Sequence, residues 1–207
     1  ARHGERGMYL TFEESSSQIK KYGSRFFPDL PEHIDNGLIQ ILDFSPHIQV
    51  TDENTHDVGG EKVTVPPRDH MDSIAYIEDK ILDIRGQTIQ RVVLDGLQTF
   101  ATTFYDLSGK HDSDELRRTL SRILVLLKRE KITTYLLSEV LDEKTDKYSF
   151  INFTVDGIFH LKVNEALDVR TLKISKMRGI RHTLKPLTIK LTEGQGILMS
   201  DRQKHKL

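Results

Sequence analysis

Apolar positions along this chain follow two spacings, and the switch between them divides it into elements. GMYLTFEES at residues 7–15 gathers Tyr9, Leu10, Thr11 and Phe12 in one run that ends in polar residues, the pattern of a β-strand. SSQIKKYGSRF at 16–26 spaces Ile19, Tyr22 and Phe26 three and four apart behind a serine, which predicts a short amphipathic helix. LIQILDF at 38–44 is a second strand, and MDSIAYIEDKILDI at 71–84 returns to helical spacing through Ile74, Ile77, Ile81 and Ile84 before Gly86. RVVLDG at 91–96 follows, and a near-continuous apolar strand after an amphipathic helix predicts a parallel strand covered on both faces. DSDELRRTLSRILVLLKREK at 112–131 is the strongest helical pattern, acidic at its start and basic at its end, and TTYLLSE at 133–139 is another strand. Between Ser45 and Asp69 no period survives the pairs Gly59 with Gly60 and Pro66 with Pro67, so a long loop is expected.

The last third changes character. GIFHLKV, RTLKISKMR, LTIKLTE and GILMS are four short strands separated by turn residues, with no helix between them, which predicts an antiparallel meander. The expected fold is therefore α/β, with a mixed sheet that is parallel at its centre and antiparallel at its C-terminal edge, in one domain over residues 1–207.

Composition narrows the class. Hydrophobic residues at 37% and charged residues at 29% describe an ordinary globular chain. Thirty Lys and Arg against 31 Asp and Glu leave no excess charge to draw a polyanion, so a nucleic-acid partner is not expected. Without cysteine there are neither disulfides nor thiolate metal sites. The longest apolar run, ILVLL at 123–127, is too short to cross a bilayer, and ARHGERG at the start lacks the apolar core of a secretory signal, so a cytoplasmic protein is expected. The first residue is Ala rather than Met, and the expectation is a fragment of a longer chain.

In open α/β sheets ligands bind beyond the carboxyl ends of the parallel strands, so the residues just past each strand are the candidates. The first strand ends at Glu13 and Glu14, RVVLD ends at Asp95, and TTYLL ends at Ser138 and Glu139. A carboxylate there can hold the water shell of Mg²⁺, and a nearby glutamate can deprotonate an attacking water. Equally, an Asp after an apolar run serves as a turn or cap residue, and paired glutamates suit a helix entry. KMRGIRH at 176–182 sets Lys176 and Arg178 on one strand face with His182 after a glycine turn, a group able to grip a triphosphate or, alternatively, to keep an edge strand solvated. The nine histidines show no metal-ligand spacing, and His56 with Asp52, Glu53 and Asp57 reads as a solvated loop cluster.

With these motifs in order, the chain resembles the KaiC-like branch of the RecA superfamily of ATPases over nearly its whole length. GERGMYLTFEES resembles that family's strand and catalytic glutamate pair, RVVLDGLQTF its Walker B strand, and ITTYLLSEV its sensor-type strand. TLKISKMRGIRHTLKPLTIKLTEGQGI resembles its C-terminal signature, in which a Lys, an Arg and a His reach ATP bound by the adjacent subunit. The resemblance implies a RecA-like three-layer sandwich, Mg²⁺ and ATP as cofactors, and a homo-oligomeric ring, usually a hexamer, with nucleotide between protomers. It implies Glu13 and Glu14 as activators of water, Asp95 at the Mg²⁺ site, Ser138 and Glu139 as sensor or nucleotide contacts, and Lys176, Arg178 and His182 as contacts across the subunit interface.

Two departures qualify it. The phosphate-binding motif G-x-x-x-x-G-K-[ST] does not occur in these 207 residues; Gly109 with Lys110 lacks its spacing and reads as a loop. In the family that loop, with its strand and helix, precedes the segment that starts here at Gly4, so the missing unit is expected N-terminal to Ala1, and its loss would leave apolar surface on neighbouring strands uncovered at about 25 cal/mol per Å². Where the circadian members phosphorylate a Ser-Thr pair shortly before an Asp, this chain has Asn152 and Phe153 before Asp156, so clock-type autokinase activity is not expected. Two functions compete: an ATPase of signalling or regulation with protein partners, and a non-enzymatic regulatory or scaffold module that has lost nucleotide binding.

Overall fold

A computed structural model of the chain describes residues 1–45, 55–58, 61–64, 77, 79–80, 89–104, 110–139 and 150–199. They fall in two compact units, Ala1–Tyr22 with Asp29–Lys144, and Gly23–Pro28 with Thr145–Leu207. Up to the end of the first unit the elements are β1 (Arg6–Thr11), α1 (Ser16–Phe26), α2 (Leu30–Asp35), β2 (Ile39–Asp43), β3 (Thr55–Val58), β4 (Glu61–Thr64), β5 (Ile89–Asp95), α3 (Leu97–Phe104), α4 (Lys110–Arg129) and β6 (Thr133–Leu137).

Four of these strands form an all-parallel sheet in the order β2-β1-β5-β6. Parallel partners in register share a face, so Leu10, Leu94 and Leu136 lie on one side and Tyr9, Val93 and Tyr135 on the other. The first side is the core. Leu10, Phe12, Val92 and Leu94 are buried there, and α3 and α4 bring Leu97, Phe100, Leu120 and Ile123 around a small apolar cavity shared with Phe12, Leu94 and Leu136. Phe12 stacks on Phe44 at 5.2 Å between ring centroids and meets Phe100 edge-on at 5.0 Å. The second side is more open: Tyr135 is 50% and Leu137 42% exposed. RVVLD is thus a parallel central strand, buried on the face of Val92 and Leu94 but only half-buried at Arg91, Val93 and Asp95.

The loop expected over 45–69 contains a two-residue-linked antiparallel hairpin, β3 with β4, paired from Val58 opposite Glu61 to Thr55 opposite Thr64. In the sequence Gly59 and Gly60 fall between the two strands. The helix predicted over 71–84 lies mostly outside the described residues; Ile77, Asp79 and Lys80 are helical and Ile77 is buried. Lys110 opens α4 instead of sitting in a loop, and Lys131, at φ +59°, turns the chain from that helix into β6.

The second unit holds α5 (Ile151–Thr154), β7 (Gly157–Asn164), β8 (Val169–Met177), β9 (Leu187–Thr192) and β10 (Gly196–Met199). The four strands form the expected antiparallel meander, order β10-β9-β8-β7. They are hydrogen-bonded as a sheet of their own, not as an edge of the parallel one. Between β7 and β8 the Asn164 side chain accepts from the Leu167 amide at 3.1 Å, and Asp168 takes the left-handed conformation that closes the turn. No helix among the described residues is long and apolar enough to cross a membrane.

Candidate functional site

The register of the parallel sheet decides which strand exits are neighbours. Thr11 pairs with Asp95 and Asp95 with Leu137, so β5 ends between the exits of β1 and β6. Glu13 and Glu14 therefore lie on one side of Asp95, and Ser138 and Glu139 on the other. The first exit is fixed by the backbone: the Phe12 amide donates to the Asp95 carbonyl at 3.0 Å, and the buried Thr11 hydroxyl donates to the Glu14 carbonyl at 2.7 Å.

Of the two glutamates, Glu13 turns toward the centre of the site and Glu14 is exposed. Thr99, in the first turn of α3, donates its hydroxyl to Glu13 Oε1 at 2.9 Å. Glu13 also packs on Gly96, where a Cβ would come within 2.7 Å of Glu13 Cγ. Gly96 has φ +92°, a conformation that glycine adopts without steric cost, and this lets α3 begin directly after Asp95. Ser138 and Glu139 are held from the same helix: Gln98 Nε2 donates to Ser138 Oγ at 2.9 Å and to the Glu139 carbonyl, while the Glu139 amide donates to Gln98 Oε1 at 3.2 Å.

Asp95 is half-buried, and the Tyr9 hydroxyl donates to its Oδ2. Tyr9 sits two residues before Thr11 on β1, on the same face, and its phenol reaches the end of β5. Burial of the phenol, together with its hydrogen bond to the Asp95 carboxylate, raises the Tyr9 pKa well above the ordinary value. A second carboxylate, Asp43 at the end of β2, is almost fully buried. Both its oxygens are engaged, Oδ2 by the Ser16 amide at 2.5 Å and Oδ1 by the Ser45 amide at 2.9 Å, so it anchors the start of α1. Tyr9, Gln98, Thr99 and Asp43 were not found by reading strand ends. LQTF after Asp95 was the only sequence signal for Gln98 and Thr99, and nothing local marks Tyr9 as a partner of a residue on another strand.

Lys176, Arg178 and His182 belong to the second unit. Lys176 Nζ donates to the Asn152 carbonyl at 2.6 Å, and Arg178 donates to the Phe153 carbonyl at 2.7 Å and to Asp156 Oδ1 at 3.2 Å. Both cations thus reach the same short segment around α5, Lys176 from β8 and Arg178 from just past its end. His182 Nδ1 donates to the Ile180 carbonyl at 3.1 Å, and its Nε2 is buried without a hydrogen-bond partner among the described residues. No group of three or more metal-ligating side chains occurs among the described residues; of the His56 cluster, Asp52 and Glu53 lie outside them.

A parallel sheet with carboxylates at adjacent strand exits, followed by an antiparallel meander, defines an α/β protein of the RecA-like class. Residues 1–204 match the family model described as "ATPase: KaiC", and the chain belongs to the KaiC ATPase family. It is 31% identical over 185 residues to the circadian clock oscillator protein KaiC of Parathermosynechococcus lividus, covering 87% of this chain and 30% of that protein. The corresponding protein of Synechococcus elongatus is 31% identical over 182 residues, covering 86% of this chain and 31% of the relative. The chain therefore spans less than a third of the length of these relatives.

Proposed function

We propose that the protein carrying this domain binds and hydrolyses Mg·ATP at the subunit interfaces of a homo-oligomeric ring, a hexamer by resemblance, and uses the cycle for signalling or regulation in the cytoplasm. The observation that carries the reading is the register that sets Glu13, Asp95 and Ser138 on three neighbouring strand exits. The residues fit Mg²⁺. Asp95 Oδ2 is oriented by Tyr9, and Oδ1 accepts no hydrogen bond from the described residues, so one carboxylate oxygen is available to an ion that keeps most of its own water. Bound there, the ion supplies charge neutralisation for the phosphates.

In this reading Glu13 is the base: it orients the attacking water and takes its proton as the bond between the γ-phosphorus and the bridging oxygen of ADP breaks. Glu14, exposed beside it, is the alternate carboxylate. Ser138 and Glu139 offer a hydroxyl and a carboxylate beside the phosphates. Lys176, Arg178 and His182 serve the nucleotide of the adjacent subunit, exchanging the carbonyls of Asn152, Phe153 and Ile180 for phosphate oxygens, which form stronger, charge-assisted bonds.

The test uses the protein as its gene encodes it, with whatever precedes Ala1. A G-x-x-x-x-G-K-[ST] motif upstream and a rise in Tm with Mg·ATP support the ATPase. Absence of both supports the scaffold reading. Asp95→Asn should lower turnover by about tenfold or more, the loss of one charge-assisted contact. Turnover unchanged in that variant removes Asp95 from the metal site.

A further inference from the structure

Two consecutive residues of α3 hold the strand exits on both sides of Asp95. Thr99 binds the Glu13 carboxylate, 86 residues away in sequence, and Gln98 makes a reciprocal amide pair with the Glu139 backbone, 41 residues away, while also donating to Ser138 Oγ. The geometry that permits this is local to the strand end. Gly96 starts the helix immediately after Asp95, successive helical side chains diverge by about 100°, and the order β1-β5-β6 leaves one exit on each side. Neither residue is needed for the core, which on this helix is built by Leu97, Phe100 and Ala101.

We propose that Gln98 and Thr99 are positioning residues that tie the base and the sensor exit to the metal-site strand, so that the three move as one piece. The Thr99 half rests on Glu13 being the base. A glutamate after a strand can adopt several rotamers. The Thr99 hydroxyl on Oε1 and the bare Gly96 surface beneath Cγ select one of them. Gln98 does for Ser138 and Glu139 what a neighbouring strand would do, giving the chain past β6 a donor and an acceptor where the ladder has ended.

The test takes the full gene product in four variants: Thr99→Val, Thr99→Ser, Gln98→Met and Glu13→Gln. Thr99→Val should lower kcat about tenfold at unchanged KM for ATP, and Thr99→Ser should restore it. Added to Glu13→Gln, Thr99→Val should cost nothing further, because it acts through that carboxylate. Independently of turnover, the carboxyl ¹³C resonance of Glu13 should shift in Thr99→Val and return in Thr99→Ser. The Glu139 amide should exchange with solvent at least about tenfold faster in Gln98→Met and not in Thr99→Val. If Glu13→Gln abolishes turnover while Thr99→Val matches the parent protein, the positioning role of Thr99 is wrong and the ATPase reading stands. Wild-type turnover in Glu13→Gln overturns both. A Glu139 amide unchanged by Gln98→Met overturns the Gln98 half whatever the activity.

Discussion

Asp95 could be read in the sequence as an acid at a strand end; its partner Tyr9 could not. The phenol stays protonated above the pH at which an unfolded tyrosine ionises, near 10, because burial and the Asp95 carboxylate both oppose its charge. The unfolded chain thus loses that proton first. The Tyr9 contribution is complete below about pH 10 and is lost as pH rises through the higher folded value. Tyr9→Phe should therefore reduce the fall in stability above pH 10, as followed by denaturant unfolding, and should raise the Mg²⁺ concentration at half-maximal turnover severalfold. An unaltered alkaline profile would mean that the phenol ionises in the folded protein as it does in the unfolded one. At this scale the sequence supplied the residue types at strand ends, since these follow from local pattern. The partners of Glu13, Asp95 and Ser138 come from other elements, Thr99 and Gln98 on α3 and Tyr9 on β1, and no local pattern pairs them with these residues.

Among the elements, β6 is the one whose environment departs most from its sequence. TTYLL is apolar enough for a covered strand, yet only the Leu136 face is packed, and Tyr135 and Leu137 look outward from the outer strand of the sheet. Such an edge invites pairing with another chain. In the 207-residue chain, Tyr135→Lys with Leu137→Lys should lower aggregation, measured by light scattering on warming, with little change in Tm; an equal or greater tendency to aggregate would show that this face is not the sticky one. The hairpin β3 with β4 and the helix α3 were missed for related reasons. A Gly-Gly pair divides the strand pattern of 55–64 into two four-residue pieces, and LQTFATTF is short and rich in β-branched threonine, which weakens a helical pattern that tertiary packing then enforces.

For the whole molecule, the proposed shared site makes a prediction that no single subunit can satisfy. If Asp95 acts on the nucleotide of its own subunit and Lys176 on that of the neighbour, Asp95→Asn and Lys176→Ala each lower turnover at every site, but mixing them in equal amounts rebuilds intact sites. About a quarter of sites in randomly assembled rings would pair a normal Asp95 with a normal Lys176, and turnover should recover to about that fraction. No recovery after verified subunit exchange would place both residues on the same nucleotide, or Lys176 on none.

The parallel strands, the long helix α4, the C-terminal meander and the family's motif spacing were determined by the sequence alone, because periodicity and spacing are properties of contiguous residues. The α/β class and the membership of the KaiC ATPase family follow from these. The tertiary structure decided what depends on register and on contacts between distant segments: that among the described residues the antiparallel strands of the second unit form a sheet of their own, that Glu13 and Ser138 flank Asp95, that Tyr9 lies on its carboxylate, and that Gln98 and Thr99 bridge the three exits. A strand carries its own alternation wherever it pairs, but its neighbour is chosen by the fit of the whole sheet, and the site belongs to the neighbours.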